Sequence, residues 1–82
     1  MTSFQKLLDF LGRLAEAKIH FSLASIRPET IAVLIAVPGE RWEVEFFADG
    51  VVEVEVFSSV QAAGIVLEGE EALERLFATF SD

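Results

Sequence analysis

The sequence predicts an α+β fold, in which an antiparallel sheet carries two helices on one face in the order α-β-β-β-β-α. Two segments with apolar residues every three or four positions lie at the two ends of the chain. Between them, four runs alternate apolar and polar residues with the period of half-buried strands. Their short connections favour a meander of sequential hairpins. We expect all 82 residues to form a single two-layer α/β sandwich domain.

The first helix is predicted over residues 4–18. Thr2 followed by Gln5 fits a capping box at its start, with Ser3 as an alternative N-cap. Its inward stripe is predicted to contain Phe4, Leu7, Leu8, Leu11, Leu14 and Ala15. Phe10 and Ala17 widen this apolar face, so we expect more than a third of the helix circumference to be buried. The second helix is predicted over residues 70–80, with inward Leu73, Leu76, Phe77 and Phe80.

The four strands are predicted over residues 19–26, 30–37, 41–47 and 51–57. The predicted inward residues are Ile19, Phe21, Leu23, Ile31, Val33, Ile35, Val37, Trp42, Val44, Phe46, Val52, Val54 and Val56. We expect residues 58–64 to form an irregular connection. We expect residues 65–67 either to add a short fifth strand or to fill part of the core. Strands two and three accept either a Pro38-Gly39 turn or a longer loop over residues 38–41.

The register of the hairpins follows from which residues can share a face. A two-residue loop at Asp49-Gly50 would oppose apolar residues to acidic ones across strands three and four. A three-residue loop over residues 48–50 instead opposes Phe46 to Val52, and it places Gly50 where such loops need a left-handed residue. The same test selects a three-residue connection over residues 27–29, which opposes Leu23 to Val33.

The charge of the chain is concentrated in its second half. Residues 1–39 hold three acids and four bases, a net charge of +1, whereas residues 40–82 hold eleven acids and two bases, a net charge of −9. In the predicted register Glu43 opposes Glu55 and Glu45 opposes Glu53 on the outer face of strands three and four. Like charges in opposed positions destabilise a sheet slightly.

This predicted acidic face has three interpretations. It is an ordinary solvated sheet face, a docking surface for a basic partner, or a site for Ca²⁺ or Mg²⁺, which prefer oxygen ligands. The chain lacks a loop typical of the cation sites, which ranks that interpretation last. An apolar strip beside the glutamates favours a partner, because strand two carries Ala32, Leu34 and Ala36 outward, with Phe47 and Phe57 nearby.

The sequence carries no motif for catalysis, for a cofactor or for a metal site. There is no cysteine, and the single histidine, His20, stands alone at the start of strand one on the predicted outer face. Arg27 and Arg41 flank turns, and we expect solvated arginines, ion pairs with Glu29 and Glu40, or an anion site there. A net charge of −8 argues against binding to nucleic acid or to an anionic membrane. We expect a cytoplasmic protein that is not an enzyme.

Two resemblances bear on function. The stretch 37–47, VPGERWEVEFF, followed by Asp49-Gly50 and by VEVE at 52–55, resembles a signature in small uncharacterised bacterial proteins of about this length. In size, acidity and layout the chain is also similar to immunity proteins that neutralise basic toxins. This second likeness implies a non-enzymatic inhibitor.

Three functional hypotheses follow. The first is a protein-binding module that meets a basic partner through Glu43, Glu45, Glu53 and Glu55, with Leu34, Phe47 and Phe57 as apolar anchors. The second is a structural homo-oligomer or assembly subunit that pairs with itself through strand two's outer face or through an edge strand. A very small enzyme at a glutamate-lined pocket comes last.

Overall fold

The computed structural model describes residues 2–58, 65–68 and 71–80, and it confirms the predicted antiparallel meander with flanking helices. The elements are α1 (Ser3–Glu16), β1 (Phe21–Ala24), β2 (Thr30–Val37), β3 (Glu40–Phe47), β4 (Val52–Ser58), β5 (Ile65–Glu68) and α2 (Glu71–Phe80). The fifth strand, left open by the sequence, is present, and the sheet order is β1-β2-β3-β4-β5. The predicted irregular connection over 59–64 lies outside the described residues.

The strand registers are those required by the apolar pattern. Phe46 opposes Val52 across β3 and β4, and Leu23 opposes Val33 across β1 and β2. Gly50 adopts a φ of +95° in the three-residue loop, as predicted. Of the two options left open between β2 and β3, the structure has the two-residue Pro38-Gly39 turn, since Val37 opposes Glu40.

Both helices cover the same face of the sheet, which we call the inner face. The ring of Phe10 in α1 lies 5.5 Å from that of Phe46 in β3 and 5.8 Å from that of Phe77 in α2. Trp42 is fully buried between the layers. Arg13 joins the helices through an ion pair with Glu74 at 3.1 Å.

The buried stripe of α1 is rotated from the predicted one. Leu7, Phe10 and Leu14 face the core, whereas Phe4 and Leu8 are 68% and 49% exposed. Ala15, also predicted inward, is exposed as well. The prediction was wrong for these three residues because α2 lies on the Phe10 side of α1, so that this side of the helix is the buried one. The predicted inward residues of α2 are correct: Leu73, Leu76 and Phe77 are buried, and Phe80 packs against them.

The helix α1 ends two residues earlier than predicted. The amide of Ile19 donates to the carbonyl of Leu14 at 2.9 Å, and the amide of Lys18 donates to that of Ala15 at 3.1 Å. Lys18 has a φ of 59°, so these bonds form a Schellman cap with lysine at the position that glycine usually occupies.

Strand β1 is shorter than predicted and lies at the edge of the described sheet. Residues 19, 20, 25 and 26 do not join it. Leu23 opposes Val33 on the inner face but is 52% exposed. The prediction that Leu23 is buried was wrong, since α1 packs over β3 and α2 over β5, which leaves this edge uncovered.

Candidate functional site

The four predicted glutamates lie together on the outer face of the sheet. Glu43 opposes Glu55, and Glu45 opposes Glu53, across β3 and β4. We call these four residues the acidic face. The row continues onto β5, where Glu68 opposes Glu53. Glu68 was not predicted on this face, because its position just before the predicted second helix favoured the first turn of that helix.

Arg27 folds over one end of the acidic face. Its guanidinium donates to both carboxylate oxygens of Glu45, with Nε to Oε2 at 2.8 Å and Nη2 to Oε1 at 2.9 Å. The same Nη2 lies 3.6 Å from a carboxylate oxygen of Glu53, and the guanidinium carbon lies 4.9 Å from the centre of the Phe47 ring. Of the three alternatives for Arg27, an ion pair is therefore present, but its partners are Glu45 and Glu53 and not Glu29.

Glu45 is held by the protein's own groups. The hydroxyl of Thr30 donates to its Oε2 at 2.7 Å, and the side chain of Glu45 is only 15% exposed. The hydrogen bonds from Arg27 lower the pKa of Glu45 most, burial opposes them, and the bond from Thr30 adds to the lowering. We conclude that this opposed pair has an internal counter-charge and is part of the fold.

The second opposed pair differs. Among the residues that the structure describes, no cationic group lies within ion-pair distance of Glu43 or Glu55. Both side chains are half-buried. This pair is the part of the acidic face whose charge the described chain leaves uncompensated.

Arg41 and Phe57 lie at the other end of the acidic face. The Arg41 guanidinium stacks on the Phe57 ring at 4.6 Å, and these residues oppose each other in the sheet. The ion pair of Arg41 with Glu40, one of the three alternatives from the sequence, is absent among the described residues. Arg75 of α2 pairs with Glu40 instead, at 2.8 Å.

Glu40 has a structural role at the edge of the core. Its carboxylate accepts a hydrogen bond from the indole Nε1 of Trp42 at 3.1 Å. The hydrogen bond from Arg75 lowers the pKa of Glu40 most, burial opposes it, and the indole N–H adds to the lowering. Glu40 thereby satisfies the one polar atom of a fully buried tryptophan.

The predicted apolar anchors are less accessible than the sequence suggested. Leu34, Phe47 and Phe57 are all half-buried, and the two rings lie under Arg27 and Arg41. Ala32, expected in the outward apolar strip, is fully buried. Leu34, which opposes Glu43, is the predicted anchor without a cation over it among the described residues.

A cleft of about 270 Å³ opens on the acidic face. It is lined by Ile26, Arg27, Ala32, Glu43, Glu45, Glu53, Val54 and Glu55. This volume lies below the usual range for drug-sized ligands and suits one inserted side chain. Neither Ile26 nor Arg27 was predicted to lie on this face. The register places the β1–β2 connection near this cleft, since Thr30 opposes Phe47 and Arg27 lies three residues before Thr30, but it does not select the carboxylate that Arg27 binds.

The described residues offer few groups for a metal site, for catalysis or for membrane insertion. No group of three or more histidine, aspartate or glutamate side chains in residues 2–58 and 71–80 is arranged to hold a metal ion. His20 is exposed just before β1. The described helices include none with the length and apolar character that crossing a membrane requires.

Comparisons with protein-family models, with curated proteins and with solved structures find no match. The resemblances stated from the sequence stay predictions.

Proposed function

We propose that the chain is a small cytoplasmic protein-binding module, without enzymatic activity, that takes a basic segment of a protein partner on its acidic face. An inhibitor of the immunity-protein kind is one form of this function. The observation that carries the proposal is the opposed pair Glu43–Glu55, which lines a cleft and has no cationic partner in the described chain.

The contacts of the protein's own Arg27 support a cationic partner for this surface. A planar guanidinium forms two hydrogen bonds with Glu45, approaches Glu53 and lies over an aromatic ring. Bidentate, charge-assisted bonds of this kind are among the stronger polar contacts in proteins. A guanidinium or ammonium group from a partner would make the equivalent bridge at Glu43 and Glu55, and it would remove the repulsion between them.

The charge balance of the acidic face supports the same partner. Four carboxylates face two guanidiniums, those of Arg27 and Arg41, so the surface keeps a net negative charge. Such a surface speeds the encounter with a basic protein, while an apolar contact prolongs the complex. Leu34, next to Glu43 in the sheet, provides that contact.

The test uses a short labelled peptide in which arginine alternates with serine as the basic probe. Its affinity is measured for the wild-type protein and for a Glu43→Lys/Glu55→Lys double variant, at low and at high salt. We expect the double variant to bind at least about tenfold more weakly, because two attractive charges become repulsive. We also expect wild-type binding to weaken steeply with salt.

The matched control is Asp9→Lys/Glu16→Lys, which makes the same change in net charge on the exposed surface of α1. We expect this control to bind the peptide within about threefold of wild type. Equal loss of affinity in the two double variants would show that only net charge matters, and it would refute a binding site on the acidic face.

A further inference from the structure

We infer that Arg27 determines the specificity of the acidic face, because it occupies one of the two positions where a partner's cation could bind. The face then accepts a segment with one arginine and gains little from a second arginine two positions away. The inference rests on the proposed function, and it deepens that function by naming the class of partner, a segment whose arginine stands alone.

The two opposed pairs of the acidic face have the spacing of alternate side chains in an extended chain. We call Glu43 with Glu55 the Glu43 row, and Glu45 with Glu53 the Glu45 row. The rows are two residues apart along β3, which places them roughly 7 Å from each other. An extended partner laid along β3 has the same repeat, so two of its arginines, two positions apart, would reach both rows. From the carboxylates alone, the face would favour a doubly basic segment.

Arg27 already occupies the Glu45 row. Its guanidinium binds both carboxylate oxygens of Glu45 and lies 3.6 Å from a carboxylate oxygen of Glu53. It also lies over the ring of Phe47, so that its face is in contact as well as its edge. A second guanidinium would have to displace Arg27 to reach Glu45, whose side chain is only 15% exposed.

The backbone around Arg27 keeps this side chain close to the Glu45 row. The amide of Ala48, just after β3, donates to the carbonyl of Glu29 at 3.1 Å. The hydroxyl of Thr30 lies 3.3 Å from the carbonyl oxygen of Arg27 and donates to Glu45. These bonds attach the β1–β2 connection to the end of β3. A cation on so short a tether competes at a high effective concentration with one supplied by a partner.

The Glu43 row differs in each of these respects. Among the described residues no cationic group lies within ion-pair distance of Glu43 or Glu55. Arg41, the other arginine on this face, stacks on Phe57. The cleft that these two glutamates line has a volume of about 270 Å³ and Arg27 in its wall, so it has room for one inserted side chain beside Arg27.

The test is a double-mutant cycle between Arg27 and the second arginine of a partner. It uses two labelled peptides of equal length, one with a single arginine among serines and one with a second arginine two positions further on. Their affinities are measured for the wild-type protein and for Arg27→Gln at low salt. We expect the second arginine to improve wild-type binding less than about threefold and Arg27→Gln binding at least about tenfold, because the variant opens both rows.

The matched control is Arg13→Gln, which removes the same charge and also breaks an ion pair with a glutamate, Glu74, on the helix side of the protein. We expect the second arginine to improve its binding as little as it improves wild-type binding, within about twofold. Arg27→Lys keeps the charge at the Glu45 row and should keep the wild-type preference. An equal gain for Arg27→Gln and Arg13→Gln would show an effect of net charge alone and would overturn the inference.

The side-chain Nε–H resonance of Arg27 in the wild-type protein provides a readout that does not depend on how the variants fold. This group donates to Glu45 at 2.8 Å, so we expect it to exchange slowly with solvent and to keep its chemical shift when the doubly basic peptide saturates the protein. A shift towards the position of a free arginine would show that the peptide displaces Arg27, and it would overturn the inference.

The outcomes distinguish this inference from the proposed function. A wild-type protein that binds neither peptide would refute the proposed function, while binding of the doubly basic peptide to Arg27→Gln alone would still support the role of Arg27. Absence of binding to both proteins, or the same gain from the second arginine in both, would overturn the inference.

Discussion

Replacing Glu55 with glutamine should stabilise the protein, while replacing Glu45 with glutamine should destabilise it. Both residues belong to opposed glutamate pairs on the acidic face. They differ in their partners, because Glu45 is bound by Arg27 and Thr30 and Glu55 has no cationic partner among the described residues.

The two effects differ in size as well as in sign. Glu55→Gln removes the repulsion from Glu43, which is worth about 0.3 kcal/mol between partly exposed cross-strand charges. Glu45→Gln replaces a carboxylate that is only 15% exposed with a neutral amide. The single amide oxygen accepts fewer of the hydrogen bonds from Arg27 and Thr30, and it accepts them without the help of charge. We expect a loss of about 1 kcal/mol, which is the net value of one such bond.

Urea unfolding followed by the fluorescence of Trp42 is a suitable assay, because this single tryptophan is fully buried. At about 1 kcal/mol per molar for a protein of this size, the midpoints should move up by about 0.3 M and down by about 1 M. The gain from Glu55→Gln should disappear in high salt, which screens the repulsion.

The pH dependence gives the Glu45 effect a second signature. Because the pKa of Glu45 is lowered in the folded protein, its stabilisation is present above the ordinary glutamate pKa of 4.5 and is lost as the pH falls further, through the lower folded value. The difference between wild type and Glu45→Gln should shrink over that acidic range. Equal shifts for both variants at neutral pH would refute the distinction between the two pairs.

Four further predictions concern the scaffold. Gly12→Ala should stabilise the protein by about 0.5–1 kcal/mol, since nothing lies within 4 Å of the added carbon. Gly50→Ala should destabilise it by about 1–2 kcal/mol, because the φ of Gly50 is +95°. The midpoints of urea unfolding measure both effects. Lys18→Gly should stabilise by about 0.5–1 kcal/mol by relieving the left-handed lysine in the helix cap, and an unchanged melting temperature would contradict this. Trp42→Phe should lower the free energy of unfolding by about 2 kcal/mol, because it replaces a fully buried ring with a smaller one and removes the indole N–H that donates to Glu40. Unfolding followed by circular dichroism measures this loss.

The sheet could be predicted from the sequence because strand registers obey parity. Of the two loop lengths compared for β3 and β4, only the three-residue loop opposes Phe46 to Val52 and keeps apolar side chains on one face. The same register determines that Glu43 opposes Glu55. The turn at Gly50 followed from the same constraint. Local alternation therefore carried enough information to locate the acidic face.

The helix layer and the arginines could not be predicted in the same way. The apolar residues of α1 cover more than one side, so the position of α2 decides that Phe10 is buried and Leu8 exposed. Arg27 has a long side chain with several carboxylates within reach, and the choice of Glu45 depends on where the β1–β2 connection folds over the sheet. Sequence spacing alone does not determine such choices.

The central claim is that the acidic face, at Glu43 and Glu55, receives the cation of a basic partner. The most direct measurement is a titration of the isotopically labelled protein with the arginine–serine peptide, followed by amide chemical shifts. The account predicts that the shifts concentrate at Glu43, Glu55 and Leu34 and vanish in the Glu43→Lys/Glu55→Lys variant. Shifts spread evenly over α1, α2 and the sheet, or confined to the helices, would contradict it.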